Sequence, residues 1–204
     1  MLEQGANVLH ALGVLHADLG AATVDEELAA QLGALVEREA RGMTPQGVAN
    51  SLNAVCKLEA VAVAITPPGW KRLAEAAERT AREMNPVRVA NSLNALSQLE
   101  AAAAAVSPMG WAGLAEAAER TASKMKPHGV ANTLNALCKL EAAAAAVSPT
   151  GWAGLAKAAE RTAREMKPRE VANSLNALCK LDVAVAAWAG LAEAAESTAS
   201  VMKL

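Results

Sequence analysis

The phrase Val-Ala-Asn-Ser-Leu-Asn-Ala-Val at 48–55 returns almost unchanged at 89–96, 130–137 and 171–178. Its first asparagines, Asn50, Asn91, Asn132 and Asn173, lie 41 residues apart at every step. A period of this length belongs to stacked supersecondary units, each burying an apolar face on its neighbours, and not to one core closed around one pocket. A unit of this size buries too little surface to stand alone. All 204 residues therefore read as a single array, and its function is to be sought on an extended surface built from one repeated face.

The units run 43–83, 84–124, 125–165 and 166–204, preceded by a degenerate copy at 1–42. In that copy Ala6-Asn7-Val8-Leu9-His10-Ala11-Leu12 aligns with Ala49-Asn50-Ser51-Leu52-Asn53-Ala54-Val55, and Leu28 to Ala40 supplies a second helix. The last unit is five residues shorter before Trp188. Solenoids usually end in units with polar outer faces; neither end here has that character, and the chain reads as a piece of a longer array.

Alanine dominates, and Tyr and Phe are absent. Such a composition favours helices that approach closely. Each unit opens Met-X-Pro, with Pro45, Pro86, Pro127 and Pro168 where a first helical turn tolerates proline. On a helical wheel Val48, Leu52, Val55 and Ala62 share one side, and Gln46, Asn50, Asn53 and Lys57 the opposite one. Ala49, Cys56 and Ala60 lie between and would admit the next helix. A break at Thr66-Pro67-Pro68-Gly69, repeated at Ser107-Pro108 and Ser148-Pro149, reads as N-cap plus first-turn proline opening a second helix. That helix would turn Trp70, Leu73, Ala76 and Ala77 inward. It would turn Lys71, Glu75, Glu78, Arg79 and Arg82 outward as a solvated face, with Glu75–Arg79 and Glu78–Arg82 paired at i,i+4.

Asparagine is a poor mid-helix residue, because its amide competes for backbone partners. Two in every intact unit, one turn apart on the polar side, imply a use. Asn50, Asn91, Asn132 and Asn173 read best as a ladder tying neighbouring units through loop carbonyls. Asn53, Asn94, Asn135 and Asn176 read best as amides displayed to a ligand. Beside them, Gln46, Val87, His128 and Arg169 change from unit to unit, as a modular reader or surface drift would both give. Position 57 and its equivalents read Lys57, Gln98, Lys139 and Lys180, and the three lysines with Arg88 and Arg169 would make this face locally basic despite a net charge of −2. Glu59, Glu100, Glu141 and Asp182 would sit at the far end of the first helix, near the groove edge or paired with a neighbour.

Nothing here points to an enzyme. His10, His16 and His128 share no metal-ligand spacing with Cys56, Cys138 and Cys179, and no phosphate loop or nucleophile elbow is present. No cofactor, metal or small-molecule substrate is expected. The odd cysteine count, with all three at one repeat position that Ser97 takes in the remaining copy, argues against disulfides and for a small buried filler. The tryptophans, Trp70, Trp111, Trp152 and Trp188, read as packing between helices rather than as base-stacking platforms. Apolar runs are too short to span a membrane, and no transit peptide is visible.

The wording Pro-X-X-Val-Ala-Asn-Ser-Leu-Asn-Ala-Leu-Cys-Lys-Leu followed by Pro-Pro-Gly-Trp resembles the octotricopeptide repeat. Pro45, Gln46, Ala49, Asn50, Leu52, Ala54, Lys57 and Leu58 match that family's first helix, and Pro67, Pro68 and Trp70 its second motif. Two departures stand out: Asn53 and its equivalents replace the family's usual tryptophan, and the unit is slightly longer. A weaker similarity is to SKWP-repeat bacterial effectors, whose Ser-Lys-Trp-Pro ending is missing here. The main resemblance implies a right-handed α-solenoid of antiparallel helix pairs that binds single-stranded RNA in a chloroplast or mitochondrion and acts in transcript stability, processing or translation. Positions 46, 50, 53 and 57 and their equivalents, together with Arg88, are then the candidate contacts. A protein- or peptide-binding scaffold of armadillo type is the other reading, and an inert fragment of a duplicating gene a third.

Overall fold

A computed structural model describes residues 24–180 together with 192, 193, 195 and 196. The first helix of the degenerate copy, and Asp182 and Trp188 in the last unit, lie outside the described residues. The long helices of the units are α2 (Pro45–Lys57), α4 (Pro67–Thr80), α5 (Pro86–Leu96), α7 (Pro108–Thr121), α8 (Pro127–Lys139), α10 (Pro149–Thr162) and α11 (Pro168–Lys180), preceded by α1 (Glu26–Glu39). Short helices α3 (Glu59–Ala64), α6 (Glu100–Ala105) and α9 (Glu141–Ala146) lie between them, and there is no strand among the described residues. No described helix is long and apolar enough to cross a membrane.

The helix starts follow from local chemistry. Thr66, Ser107 and Ser148 are extended N-caps whose hydroxyls accept from the N–H groups of Gly69, Gly110 and Gly151 at 3.3, 3.0 and 3.0 Å. Thr44 and Asn85 cap α2 and α5 in the same way. Lys126 has no acceptor to offer, and α8 begins without a side-chain cap. Proline occupies the first turn in each case, where its missing N–H costs nothing.

The first helix is shorter than its alanine-rich sequence predicts. At Leu58, Leu99 and Leu140 the backbone leaves the helical region, with φ of −110°, −109° and −105° and ψ of 79°, 84° and 81°. These leucines are buried, and so are Val61, Ala102 and Ala143 one turn on. No glycine or proline marks the break. Tertiary burial of the leucine decides it, and a glutamate then opens each short helix, where the macrodipole favours a carboxylate. Glu59, Glu100 and Glu141 therefore stand on separate helices, and Ala60 is exposed instead of spacing two units. Each full unit thus packs its two long helices as a pair, with a short α-helix between them in sequence and a 3-10 turn after the second. Where Ser97 replaces the repeated cysteine, its hydroxyl donates to the Asn94 carbonyl at 2.8 Å, and α5 ends early.

Like packs on like along the chain. The first helices contact in the order α2, α5, α8, α11, and the second helices in the order α1, α4, α7, α10. The core lies between these layers: Val48, Leu52 and Val55 meet a face carrying Trp70, Leu73, Ala76 and Ala77, all buried. Trp111 is buried like Trp70, and Trp152 is half-buried. Ser51, Ser92, Thr133 and Ser174, fully buried inside the repeated phrase, each turn a hydroxyl to the sulfur of the unit's opening methionine at 3.6–3.8 Å.

The expected asparagine ladder is absent among the described residues. Charged residues of the second helices tie the units instead. Glu37, Glu78 and Glu119 each accept from the backbone N–H of the next unit's N-cap, at Thr66, Ser107 and Ser148, at 2.7–2.8 Å. Arg79, Arg120 and Arg161 reach back to the carbonyls of Met43, Met84 and Met125, with Arg79 also on Ala40 and Arg120 on Ala81. The methionine carbonyls follow the short 3-10 turns after each second helix, whereas those of Ala40 and Ala81 also accept from the Met43 and Met84 N–H groups within the turn. The intrahelical pairs Glu75–Arg79 and Glu78–Arg82 do not form, because backbone groups of the neighbouring units and Glu116, 4.0 Å from Arg82, take their places.

Candidate functional site

The polar sides of α2, α5, α8 and α11 come together in a groove of about 670 Å³. It is lined from the first unit by Asn53, Cys56 and Lys57, from the second by Asn91, Asn94 and Gln98, and from the third by His128, Asn132, Asn135 and Lys139. The fourth contributes Lys167, Arg169, Glu170 and Asn173. The wheel geometry explains the placement: with Val48, Leu52 and Val55 buried in the layer between helices, both asparagines of each phrase emerge on the other side. Buried Ala49, Ala90 and Ala131 beside them let the first helices approach. Gln46, Asn50 and Arg88 at one end, and Asn176 and Lys180 at the other, are not among the lining residues.

The two asparagine rows do not divide as expected. All but Asn176 are half-buried, and that one is exposed. Asn132 is the one described asparagine of these rows whose side-chain amide has a partner: its Nδ2 lies 3.0 Å from His128 Nε2 on the same helix. Seven amides in the rows are thus left to water or a ligand, and no buried side-chain nitrogen or oxygen among the described residues lacks a partner.

The variable position is engaged across unit boundaries. Arg88 donates to Gln46 Oε1 at 3.1 Å, and His128 Nδ1 lies 3.1 Å from Glu170 Oε1. Glu170 Oε2 also accepts from the backbone N–H of Lys167 at 2.9 Å, capping α11. Arg88 and His128 therefore face a residue of the next or previous unit as well as the groove side. At the intervening junction the pair is Val87 and Gly129, which can make no such bond.

Lys57, Lys139, Lys167 and Arg169 set the electrostatics against the single carboxylate of Glu170, itself held by His128 and a backbone N–H. Glu59, Glu100 and Glu141 do not line the groove. Lys167 and Glu170 were not picked out by the sequence; they occupy the X of Met-X-Pro and the site of Gly47, positions whose groove exposure depends on how α11 packs on α8. The cysteines are less buried than a core filler would be: Cys56 and Cys138 are half-buried and Cys179 is exposed. Desolvation pushes the Cys56 thiol above its ordinary pKa, against the opposing pull of Lys57. Trp70, Trp111 and Trp152 stand in the other helix layer and do not line the groove. Among the described residues no three His, Cys, Asp or Glu side chains gather as a metal site would require.

No protein-family profile matches the chain, and no curated protein does.

Proposed function

We propose that the chain is a helical-repeat protein that binds single-stranded RNA along this groove. The observation that carries the reading is a row of asparagine amides crossing four units, all but that of Asn132 without a protein partner, with lysine and arginine alongside. Amides offer both a donor and an acceptor to base edges, and the cations meet phosphates. In this reading the stacked units form a right-handed solenoid with the first helices on its concave side. The resemblance to octotricopeptide repeats adds an organellar setting and a role in transcript stability, processing or translation.

Retardation of a randomised single-stranded RNA pool at low salt tests it. Affinity should fall steeply with salt, with a log–log slope near −0.7 for each phosphate neutralised. Failure to retard any RNA at low salt overturns the reading. A second reading keeps the groove and changes the ligand. Amides free for pairing on both sides suit the backbone of an extended peptide, as in armadillo-type scaffolds. Binding of that kind would show a shallower salt dependence and would select peptides from a displayed library.

A further inference from the structure

The four units offer the same asparagine in the first row, yet only the third ties it to a titratable ring. Asn132 Nδ2 carries hydrogens and no lone pair to share, so at 3.0 Å from it His128 Nε2 is the acceptor. The other ring nitrogen, Nδ1, faces Glu170 Oε1 at 3.1 Å and must carry the hydrogen. The ring is therefore neutral, with its tautomer set by a carboxylate from the next unit. Glu170 is itself fixed by the Lys167 N–H, and its side chain is only 13 % exposed, against 71 % for His128. Asn132 spends one N–H on the ring, while its carbonyl has no partner among the described residues.

We propose that His128 decides which end of the Asn132 amide the groove offers to a ligand. With the ring neutral, the carbonyl is offered to a ligand N–H, such as the exocyclic amine of adenine or cytosine. When Nε2 takes a proton from solvent it becomes a donor and can no longer accept from Nδ2. The amide then turns over about its last side-chain bond, gives Oδ1 to the ring, and offers only N–H groups to a ligand carbonyl, as in uracil. The charged groups on this side of the ring are Glu170 and the neighbouring Lys167 and Arg169 of the next unit, with Lys139 on the histidine's own helix. On the other side Arg88 is held by Gln46. Gln46, Val87 and Arg169 hold no comparable bond to their units' asparagines, so the third unit alone is switchable among the described ones.

The inference rests on the groove being the ligand site, but its core can be read without ligand. Long-range proton–nitrogen spectra of the full, nitrogen-15-labelled chain, with His128→Gln used to assign the ring, should show Nδ1–H and an unprotonated Nε2 at alkaline pH. The Asn132 side-chain amide resonances should move with the ring's titration, and Glu170→Gln should shift the ring toward the other tautomer. A dominant Nε2–H form, or an Asn132 amide indifferent to the ring, overturns the proposal. Single-stranded oligocytidine and oligouridine then read the consequence. Acidification through the ring's titration should lower the cytidine-to-uridine affinity ratio about fivefold, one hydrogen bond's worth, and His128→Gln should abolish the change. An unchanged ratio in the unaltered protein also overturns it. If neither oligonucleotide binds, the RNA reading fails, and the ring and amide spectra still decide the switch.

Discussion

Glu78 and Gly110 compete for one small volume, and one of the ties between two units is decided there. A Cβ on Gly110 would run into the Cγ, Cδ and Oε1 atoms of Glu78, the side chain that accepts from the Ser107 N–H. Gly110→Ala should therefore dislodge that carboxylate and cost about 1–2 kcal/mol, close to the cost of Glu78→Ala, since each leaves the same backbone donor unpaired. The two changes together should cost clearly less than their sum, as shifts of the urea midpoint would show; simple addition would mean that the glycine serves something other than the carboxylate. Glycine, glutamate and Ser/Thr were all visible at period 41, but their meeting spans 29 to 32 residues of chain and is invisible to a helical wheel. Cys56 gives a second test at this scale. Its thiol ionises above the ordinary range in the fold, so it should alkylate more slowly than exposed Cys179 near neutral pH. The unfolded thiol ionises first as pH rises, so this group's contribution is intact below the ordinary thiol value. It is lost as pH climbs toward the raised folded value, and Cys56→Ser should remove that part of the alkaline loss of stability.

Elements end where burial demands and not always where propensity suggests. The start of every second helix was legible, because hydroxyl, proline and glycine together specify a capped first turn. The stop after Lys57 was not legible, because Leu58-Glu59-Ala60 contains no residue that dislikes a helix. What turns the chain is the gain from burying Leu58, which is 2 % exposed. Leu58→Ala should cost about 2–4 kcal/mol, in the range for removing a buried leucine. It should do so with little loss of helical circular dichroism in the folded baseline, since alanine there suits a helix. The arginines make the complementary point. Arg79 looked solvated on the wheel, yet it and its equivalents Arg120 and Arg161 donate to the methionine carbonyls that follow the 3-10 turns, and Arg79 and Arg120 also reach the preceding unit at Ala40 and Ala81. Arg120→Ala should destabilise by about 1–2 kcal/mol by removing the donor to the Met84 carbonyl, and Arg120→Lys should recover only part of it because one ammonium lacks the guanidinium's fork.

Across the whole molecule, repetition turns a single polar helix face into a groove and decides which charges share it. Replacing Lys57, Lys139 and Lys167 together with Gln should weaken RNA binding and reduce the magnitude of the salt slope by about two, given roughly 0.7 per phosphate contact. Trp111→Phe, in the other helix layer, should leave that slope unchanged. A triple variant with an unaltered slope would place the phosphate contacts elsewhere and weaken the case for this groove.

The sequence alone determined the all-helical character, the 41-residue unit, the capped starts of the helices and the two asparagines on the polar side, because these follow from near-neighbour chemistry repeated four times. Only the tertiary structure decided the rest. It divided the first helix in two at a buried leucine, and it made the outer glutamates and arginines the ties between units. It also bound the variable position to the next unit through Gln46–Arg88 and His128–Glu170. These bonds join groups 29 to 42 residues apart, and which backbone donor or carboxylate a side chain meets at that distance is set by how the helices stack.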